Sequence, residues 1–346
     1  MKKYIINDKA YLEHELLYQA TEGTKYADEW ERSHWEVVLN WLNNPTHIEA
    51  HTSGTTGTPK LCVHSARAVR ASAMITSEYF ELREGALVFL CLPSTFIAGK
   101  MMILRALIHG WQLDWVAPSS MPFHHVKKHY DFTAITPHQC QEAFNQGYDF
   151  KFFKHILLGG SSILSRTREQ ILTTKAKFHL GYAMTETLTH IAMQDIQSSM
   201  GINTFKCLGR TSVRLDEHQR IIIHAPHLDQ PEVHTNDIGE LMDQNTFKVL
   251  GRFDQMINTG GIKIFPEVLE NKVAHLIHKP FYFKGASDSL MGEKVILMIE
   301  DQEWSTTDQA LLKTNMEALL GPYERPKEIH FQHEFHRTHN QKIIKR

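Results

Sequence analysis

The residues best suited to chemistry lie in one ten-residue stretch, His51-Thr-Ser-Gly-Thr-Thr-Gly-Thr-Pro-Lys60. Hydroxyl side chains, two glycines and a lysine are packed together there. Glycine lets a backbone approach an anion closely, and hydroxyl and amide N–H groups can hold phosphate oxygens. The pattern is not a Walker A loop, which needs four residues between its first glycine and a Gly-Lys pair, with Ser or Thr after the lysine. Here Gly54 and Gly57 precede Lys60, and Leu61 follows. A phosphate-binding loop of another kind is the chemical reading; a solvated surface turn is the bland one.

Three more clusters follow in order. Gly181-Tyr-Ala-Met-Thr-Glu186 places an aromatic, a hydroxyl and a carboxylate together. Thr235-Asn-Asp237 precedes Arg252-Phe-Asp-Gln-Met-Ile-Asn-Thr-Gly-Gly-Ile-Lys-Ile-Phe-Pro-Glu267, and Thr338-His-Asn-Gln-Lys342 lies near the C-terminus. Read singly, each has a plain alternative. Tyr182 fits core packing, Glu186 fits a helix-start acid favoured by the helix dipole, and Asp237 fits a turn acid. Lys342 fits a solvated lysine beside Lys345 and Arg346.

Taken together, these stretches resemble the adenylate-forming family of acyl-CoA synthetases, peptide-synthetase adenylation domains and luciferases. The resemblance implies that ATP, Mg²⁺ and coenzyme A are bound, and that a carboxylic acid is activated as an acyl-AMP and passed to a thiol. It implies ATP phosphate contacts from Thr52, Ser53, Thr55, Thr56 and Lys60. Tyr182 would pack on adenine, Thr185 would contact the α-phosphate, and Glu186 would ligate Mg²⁺, a hard ion that favours carboxylates and substrate phosphates. Asp237 and Arg252 would hold the ribose. Lys342 would stabilise the charge that develops at phosphorus as the carboxylate attacks. The family swings a small C-terminal domain about a pivot that corresponds to Asp254, and in the second pose Gly260 and Gly261 line the path of the thiol arm. Two departures stand out: Asn236 replaces a glycine before Asp237, and Gln341 replaces a glycine before Lys342.

For the acid itself, Leu92-Pro-Ser-Thr-Phe-Ile-Ala-Gly99 occupies the place of a family segment that usually carries histidine where Phe96 stands. Phe96 and Gly159 would face the substrate, Gly160 would join the nucleotide-binding positions, and Thr133-Ala-Ile-Thr-Pro-His138 would supply His138. Within the family, these short segments look most like the o-succinylbenzoate–CoA ligases of menaquinone synthesis. Such a substrate has two carboxylates, and a buried carboxylate needs a partner. Lys100 and Arg105 are the cations available, although Lys100 also fits a surface helix position. Another aryl- or acyl-CoA ligase, an enzyme loading a carrier protein, and a non-catalytic nucleotide-binding relative stay open.

These residues need a scaffold, and the rest of the chain describes one. Apolar β-rich runs such as ALVFLCLP, DFTAIT, HILLGG and FHLGYA alternate with helical stretches, the pattern of an α/β domain with a largely parallel sheet. Residues 1–50 read as helical and, being few, as a reduced first subdomain. From about residue 205 antiparallel hairpins are expected. The last 90 or so residues mix helix and strand, so the fold class is α/β with a large N-terminal domain over 1–253 and a small α+β domain over 254–346, which the resemblance implies is mobile. A helix over 266–277 starts at Pro266, and another opens at Thr306, Thr307 and Asp308.

Composition limits the partners. The 346 residues carry a formal net charge of -2, so nothing favours nucleic acid or an anionic membrane surface. No apolar run reaches the ~18 residues of a transmembrane helix. Asn7, Asp8 and Glu13 fall where a signal peptide needs apolar residues. Four dispersed cysteines read as reduced thiols of a cytoplasmic protein. His330, His333, His336 and His339 recur every third residue, but without accompanying Cys or paired acids they read as polar surface rather than a metal site.

Overall fold

The computed structural model describes all residues except 1, 52–59, 125, 199–200, 338–342 and 346. Thr52, Ser53, Thr55 and Thr56, expected to meet the ATP phosphates, and Lys342 therefore lie outside the described residues. The elements in chain order are β1 (Lys3–Ile6), β2 (Lys9–Leu12), α1 (Glu13–Tyr26), α2 (Glu29–Leu42), β3 (His47–His51), β4 (Leu61–Ser65), α3 (Ala66–Tyr79), β5 (Leu87–Leu90), α4 (Ile97–His109), β6 (Gln112–Trp115), β7 (Tyr130–Ile135), α5 (Pro137–Asn145), β8 (Phe153–Leu158), α6 (Ser165–Leu172), β9 (Lys177–Ala183), β10 (His190–Asp195) and β11 (Thr204–Cys207). They continue as β12 (Ser212–Leu215), β13 (Arg220–His224), β14 (Glu232–Leu241), β15 (Thr246–Arg252), β16 (Ile257–Thr259), β17 (Ile262–Ile264), α7 (Pro266–Val273), β18 (Phe281–Asp288), β19 (Gly292–Glu300), α8 (Thr306–Glu317) and β20 (Glu328–Gln332).

Two compact units are present. One comprises Met1–Ser162, Gln170–Val213 and Ile223–Val233; the other comprises Ile163–Glu169, Arg214–Ile222 and His234–Arg346. In the first, strands lie in the order β11-β10-β9-β8-β7-β5-β6-β1-β2. From β9 to β1 every neighbouring pair is parallel. The β-rich runs are buried because helices cover them, the condition under which parallel strands become continuously apolar; Val88, Phe89 and Leu90 are all within 2% of full burial. This is the α/β class expected.

The first fifty residues depart from the helical reading. β1 and β2 form an antiparallel hairpin, and β1 also adds parallel to β6. Its two-residue turn, Asn7-Asp8, has φ of 47° and 63°, the geometry that suits a tight hairpin. Asn7 Oδ1 accepts from the Trp115 amide at 2.8 Å. Asn-Asp between alternating strands was the available signal, hidden by the charged residues around it.

Two local features bound the helices beside the sheet, one a start and one a stop. Thr136 caps α5, its hydroxyl accepting from the Gln139 amide at 3.1 Å while Gln139 Oε1 accepts from the Thr136 amide at 3.0 Å, with Pro137 in the first turn. This is a capping box with proline where its missing N–H costs nothing. α4 is buried on nearly every face and stops at Gly110, whose φ of 69° is left-handed.

In the second unit, β12 to β15 lie side by side, and β14 pairs antiparallel with β15 as expected for a hairpin. A separate sheet, β17-β16-β19-β18 with β20 alongside β19, packs with α7 and α8 around Ile257, Leu269, Phe283, Leu297 and Met316. α8 is capped by Ser305, whose Oγ accepts from the Asp308 amide at 3.1 Å, one residue earlier than the Thr306–Thr307 start read from sequence. His330 lies on β20 against Glu328, at 2.8 Å.

Candidate active site

The strand order reverses at β5: the chain goes on to β6 on one side and to β7, β8 and β9 on the other. In parallel sheets ligands bind outside the carboxyl ends of the strands at such a switch point. Register fixes what stands there. Leu90 is opposite Ala134, Ile135 opposite Leu158, and Leu158 opposite Leu180. The segments at these ends are residues 91–96, 136–138, 159–162 and 181–186, the last beginning within β9. They carry Phe96, His138, Gly159, Gly160, Tyr182, Thr185 and Glu186, so the sheet brings to one edge residues up to 90 positions apart. The N-termini of α4 and α5 also lie at this edge, and helix N-termini favour anions.

Each side chain has a definite setting. His138 and Glu186 are exposed and Phe96 is half-buried. A Cβ added at Gly159 or Gly160 would meet nothing within 4 Å, and Gly160 has φ of 95°. The two glycines thus leave open space beside a bare backbone. Tyr182 is buried, its ring tilted against Phe205 at 5.6 Å. On β4, His64 Nε2 donates to the Thr185 carbonyl at 2.8 Å. A carbonyl only accepts, so the proton sits on Nε2. Burial holds the His64 pKa below its usual value and keeps the ring neutral.

The turn carrying Thr185 and Glu186 ends in backbone strain. Leu188 has φ 64° and ψ -46°, and the Thr189 amide reaches the Thr187 carbonyl at 2.6 Å. This is the rare γ-turn of positive φ, costly for a branched side chain and held by its surroundings. Leu188 is fully buried, and Thr187 Oγ1 donates to the Thr189 carbonyl at 2.8 Å. Beyond the turn, Thr189 Oγ1 accepts from Arg105 Nη2 at 2.6 Å. Arg105 is 2% exposed, and burial pushes its guanidinium down to about 9. No carboxylate pairs with it among the described residues, and its Nε has no partner there. Lys100 points elsewhere: its Nζ donates to the Glu49 carbonyl at 2.6 Å and lines a cavity of about 520 Å³ with Trp41 and Leu104.

The remaining expected residues belong to the second unit. Asp237 on β14 is opposite Arg252 on β15, with Arg252 Nη1 3.5 Å from Asp237 Oδ1. Arg252 also grips Asp254 with two bonds of 2.9 Å, from Nε and Nη2. Gly260 and Gly261, with φ of 58° and 84°, turn the chain between β16 and β17. The left-handed φ at Gly260 favours glycine, and a Cβ there would press on the Met291 methyl, the flexible end of a side chain that can shift.

Residues 13–242 match the family model described as AMP-binding enzyme. The chain belongs to that family. The 2-succinylbenzoate–CoA ligase of Bacillus cytotoxicus is 22% identical over 86% of this chain and 68% of its own length, and that of Enterococcus faecalis is 24% identical over 88% and 70%. An acyl-CoA synthetase (AMP-forming)/AMP-acid ligase II-like protein from Dyadobacter fermentans has a similar structure, with TM-score 0.63, 27% identity, and 94% and 95% coverage. The o-succinylbenzoate CoA synthetase of Bacillus subtilis, bound to the acyl-adenylate OSB-AMP, shares the fold at TM-score 0.75 and 18% identity, over 96% of this chain and 80% of that one.

In this AMP-binding enzyme the sequence motifs mark the edge segments but not what braces them. His64 and Thr189 were not picked out, because their partners lie 121 and 84 residues away. Only the position of His64 just after the His51–Lys60 motif hinted at a role. Among the described residues no group of three or more His, Cys, Asp or Glu side chains could hold a metal, and no helix is long and apolar enough to cross a membrane.

Proposed function

We propose that the chain is an ATP-dependent, AMP-forming acid–CoA ligase of the cytoplasm that converts o-succinylbenzoate to o-succinylbenzoyl-CoA. One observation carries the substrate: Arg105 is a buried cation beside the Thr185–Thr189 turn, and no protein carboxylate among the described residues neutralises it. An unpaired buried charge is costly, and the substrate's second carboxylate is the partner it fits. Lys100, hydrogen-bonded to the Glu49 carbonyl, is the weaker choice. The ring would rest between Phe96 and the open face of Gly159-Gly160, with His138 at the rim. The likeness to the 2-succinylbenzoate–CoA ligases supports the same reading.

For the first half-reaction, Lys60 and the hydroxyls of Thr52, Ser53, Thr55 and Thr56 would hold the triphosphate, Tyr182 the adenine, Thr185 the α-phosphate, and Asp237 with Arg252 the ribose. Glu186 is exposed at the carboxyl edge, as a ligand of a hydrated Mg²⁺ should be; the ion would neutralise phosphate charge. Lys342 would steady the pentavalent phosphorus. For the second half-reaction, the chain would pivot at Asp254 and present Gly260-Gly261 to the pantetheine arm of coenzyme A.

The test is product analysis with o-succinylbenzoate, benzoate and a medium-chain fatty acid, each with and without coenzyme A. AMP and pyrophosphate, with the highest kcat/KM for the diacid and a thioester only when coenzyme A is present, is the expected result. ADP would overturn the chemistry, and a better monoacid would overturn the substrate.

A further inference from the structure

The segment 91–96, which leaves β5 at the switch point, is held from two sides. On the α4 side Gly99 lets it lie flat: a Cβ there would collide with the Pro93 carbonyl and come within 2.8 Å of the Leu92 oxygen. On the α2 side Ser94 is 1% exposed and His34 is fully buried. His34 Nδ1 lies 2.9 Å from Ser94 Oγ, and Ser94 Oγ lies 3.1 Å from Ser33 Oγ.

Proton counting orders this chain. Ser33 Oγ donates its one hydrogen to the Trp30 carbonyl at 2.8 Å. The Ser94 hydroxyl must then donate to Ser33, so His34 Nδ1–H donates to Ser94. Every bond runs the same way, from His34 through Ser94 and Ser33 to the Trp30 carbonyl, and aligned bonds polarise one another. The ring stays in place because Trp30 and Trp115 meet it edge-on at 5.6 and 5.3 Å. Nε2 has no partner among the described residues. Burial keeps the imidazole neutral, its pKa down at about 4, so the same tautomer persists across the physiological range.

We propose that His34 is a positioning residue that, through Ser94, clamps the 91–96 segment and so sets the wall against which the acid substrate packs. Phe96 ends that segment and is the first residue before α4. The hydrogen bonds of His34 and Ser94 run to each other and to Ser33, within α2 and the 91–96 segment. The clamp therefore governs the fit of the acid and not that of ATP. This rests on the acid–CoA ligase reading, but the clamp can be measured without substrate.

The experiment compares wild type with Ser94→Ala, His34→Leu and His34→Asn by hydrogen–deuterium exchange of the peptide spanning residues 91–97, and by KM for acid and for ATP. Asn places an amide donor where Nδ1–H was, so it should restore what Leu removes. The expected result is faster exchange confined to that peptide in Ser94→Ala and His34→Leu, with KM for the acid raised about tenfold, the scale of one lost buried hydrogen bond, KM for ATP unchanged, and His34→Asn close to wild type. Exchange as slow as wild type in both disrupting variants overturns the clamp, whichever acid is turned over. Faster exchange with both KM values moved alike, or no rescue by Asn, overturns the positioning role. Failure of wild type on every acid instead sinks the ligase reading and leaves the exchange result to decide the clamp.

Discussion

His64 Nε2 donates to the Thr185 carbonyl across 2.8 Å, tying β4 to the turn that carries Thr185 and Glu186. His64→Ala should lower the rate of pyrophosphate release by about tenfold, the scale of one lost buried bond, and raise the Mg²⁺ concentration needed. His64→Gln, whose amide can reach the same carbonyl, should recover most of the rate. An Ala variant with unchanged kinetics would separate the two segments functionally.

Arg105→Leu should separate stability from function. Removing a buried, unpaired cation is neutral or stabilising for the fold, so the melting temperature should hold or rise. The kcat/KM for o-succinylbenzoate should fall by ~10² or more, since a buried charge contact is being lost, while that for benzoate changes little. Equal losses on both acids would show that Arg105 does not read the second carboxylate.

The paired glycines make opposite predictions. Gly160→Ala forces φ of 95° on a side chain that avoids it and should destabilise by about 1 kcal/mol or more. Gly159→Ala has open space around its new methyl; it should melt like wild type yet raise KM for the acid. Thermal melts and acid titrations on both variants check this, and a normal KM in Gly159→Ala would remove that backbone from the substrate wall.

The two half-reactions should respond to different residues. Lys342→Ala should slow adenylate formation by ~10²–10³ and leave thioester formation from preformed acyl-adenylate nearly intact. Asp254→Pro should do the reverse, because it fixes φ at the pivot and removes the carboxylate gripped by Arg252. Single-turnover assays of each half-reaction are the measurement, and parallel losses would contradict the division.

Stability should fall in mild acid. Burial lowers the pKa of His34 and His179 to about 4 and also lowers those of His64, His155 and His190. The unfolded chain takes up these protons near the ordinary histidine value of about 6.5, whereas the folded chain resists until lower pH. Their contribution is therefore complete above that value and is lost as pH falls toward 4, at about 1.4 kcal/mol per pH unit for each proton taken up. Urea midpoints at pH 7 and pH 5 test it; equal midpoints would mean these rings titrate normally.

Local patterns made much of this legible. The apolar runs at 86–93, 131–136, 155–160 and 178–183 each hold most or all of a strand, β5, β7, β8 and β9, because β-rich segments covered on both faces need no alternation. Thr136-Pro137-His138-Gln139 spells a helix start, and Gly260-Gly261 spells a tight turn. The N-terminal hairpin was missed because Lys3–Ile6 is too short for a period to show, and its stability comes from pairing with β6.

The sequence by itself determined the family and the α/β class and named the residues expected to meet ATP, because these rest on short contiguous motifs whose chemistry is local. The tertiary structure alone decided which cation is buried without a carboxylate partner, Arg105 rather than Lys100. The two are five residues apart on α4 and so on different faces of the helix, and what each face meets, Thr189 or the Glu49 carbonyl, is set by strands remote in the chain. The same holds for His34 and His64. A histidine's role depends on which group its ring nitrogens reach, and here those groups lie 60 and 121 residues away, brought close only by the packing of α2 and the pairing of the strands.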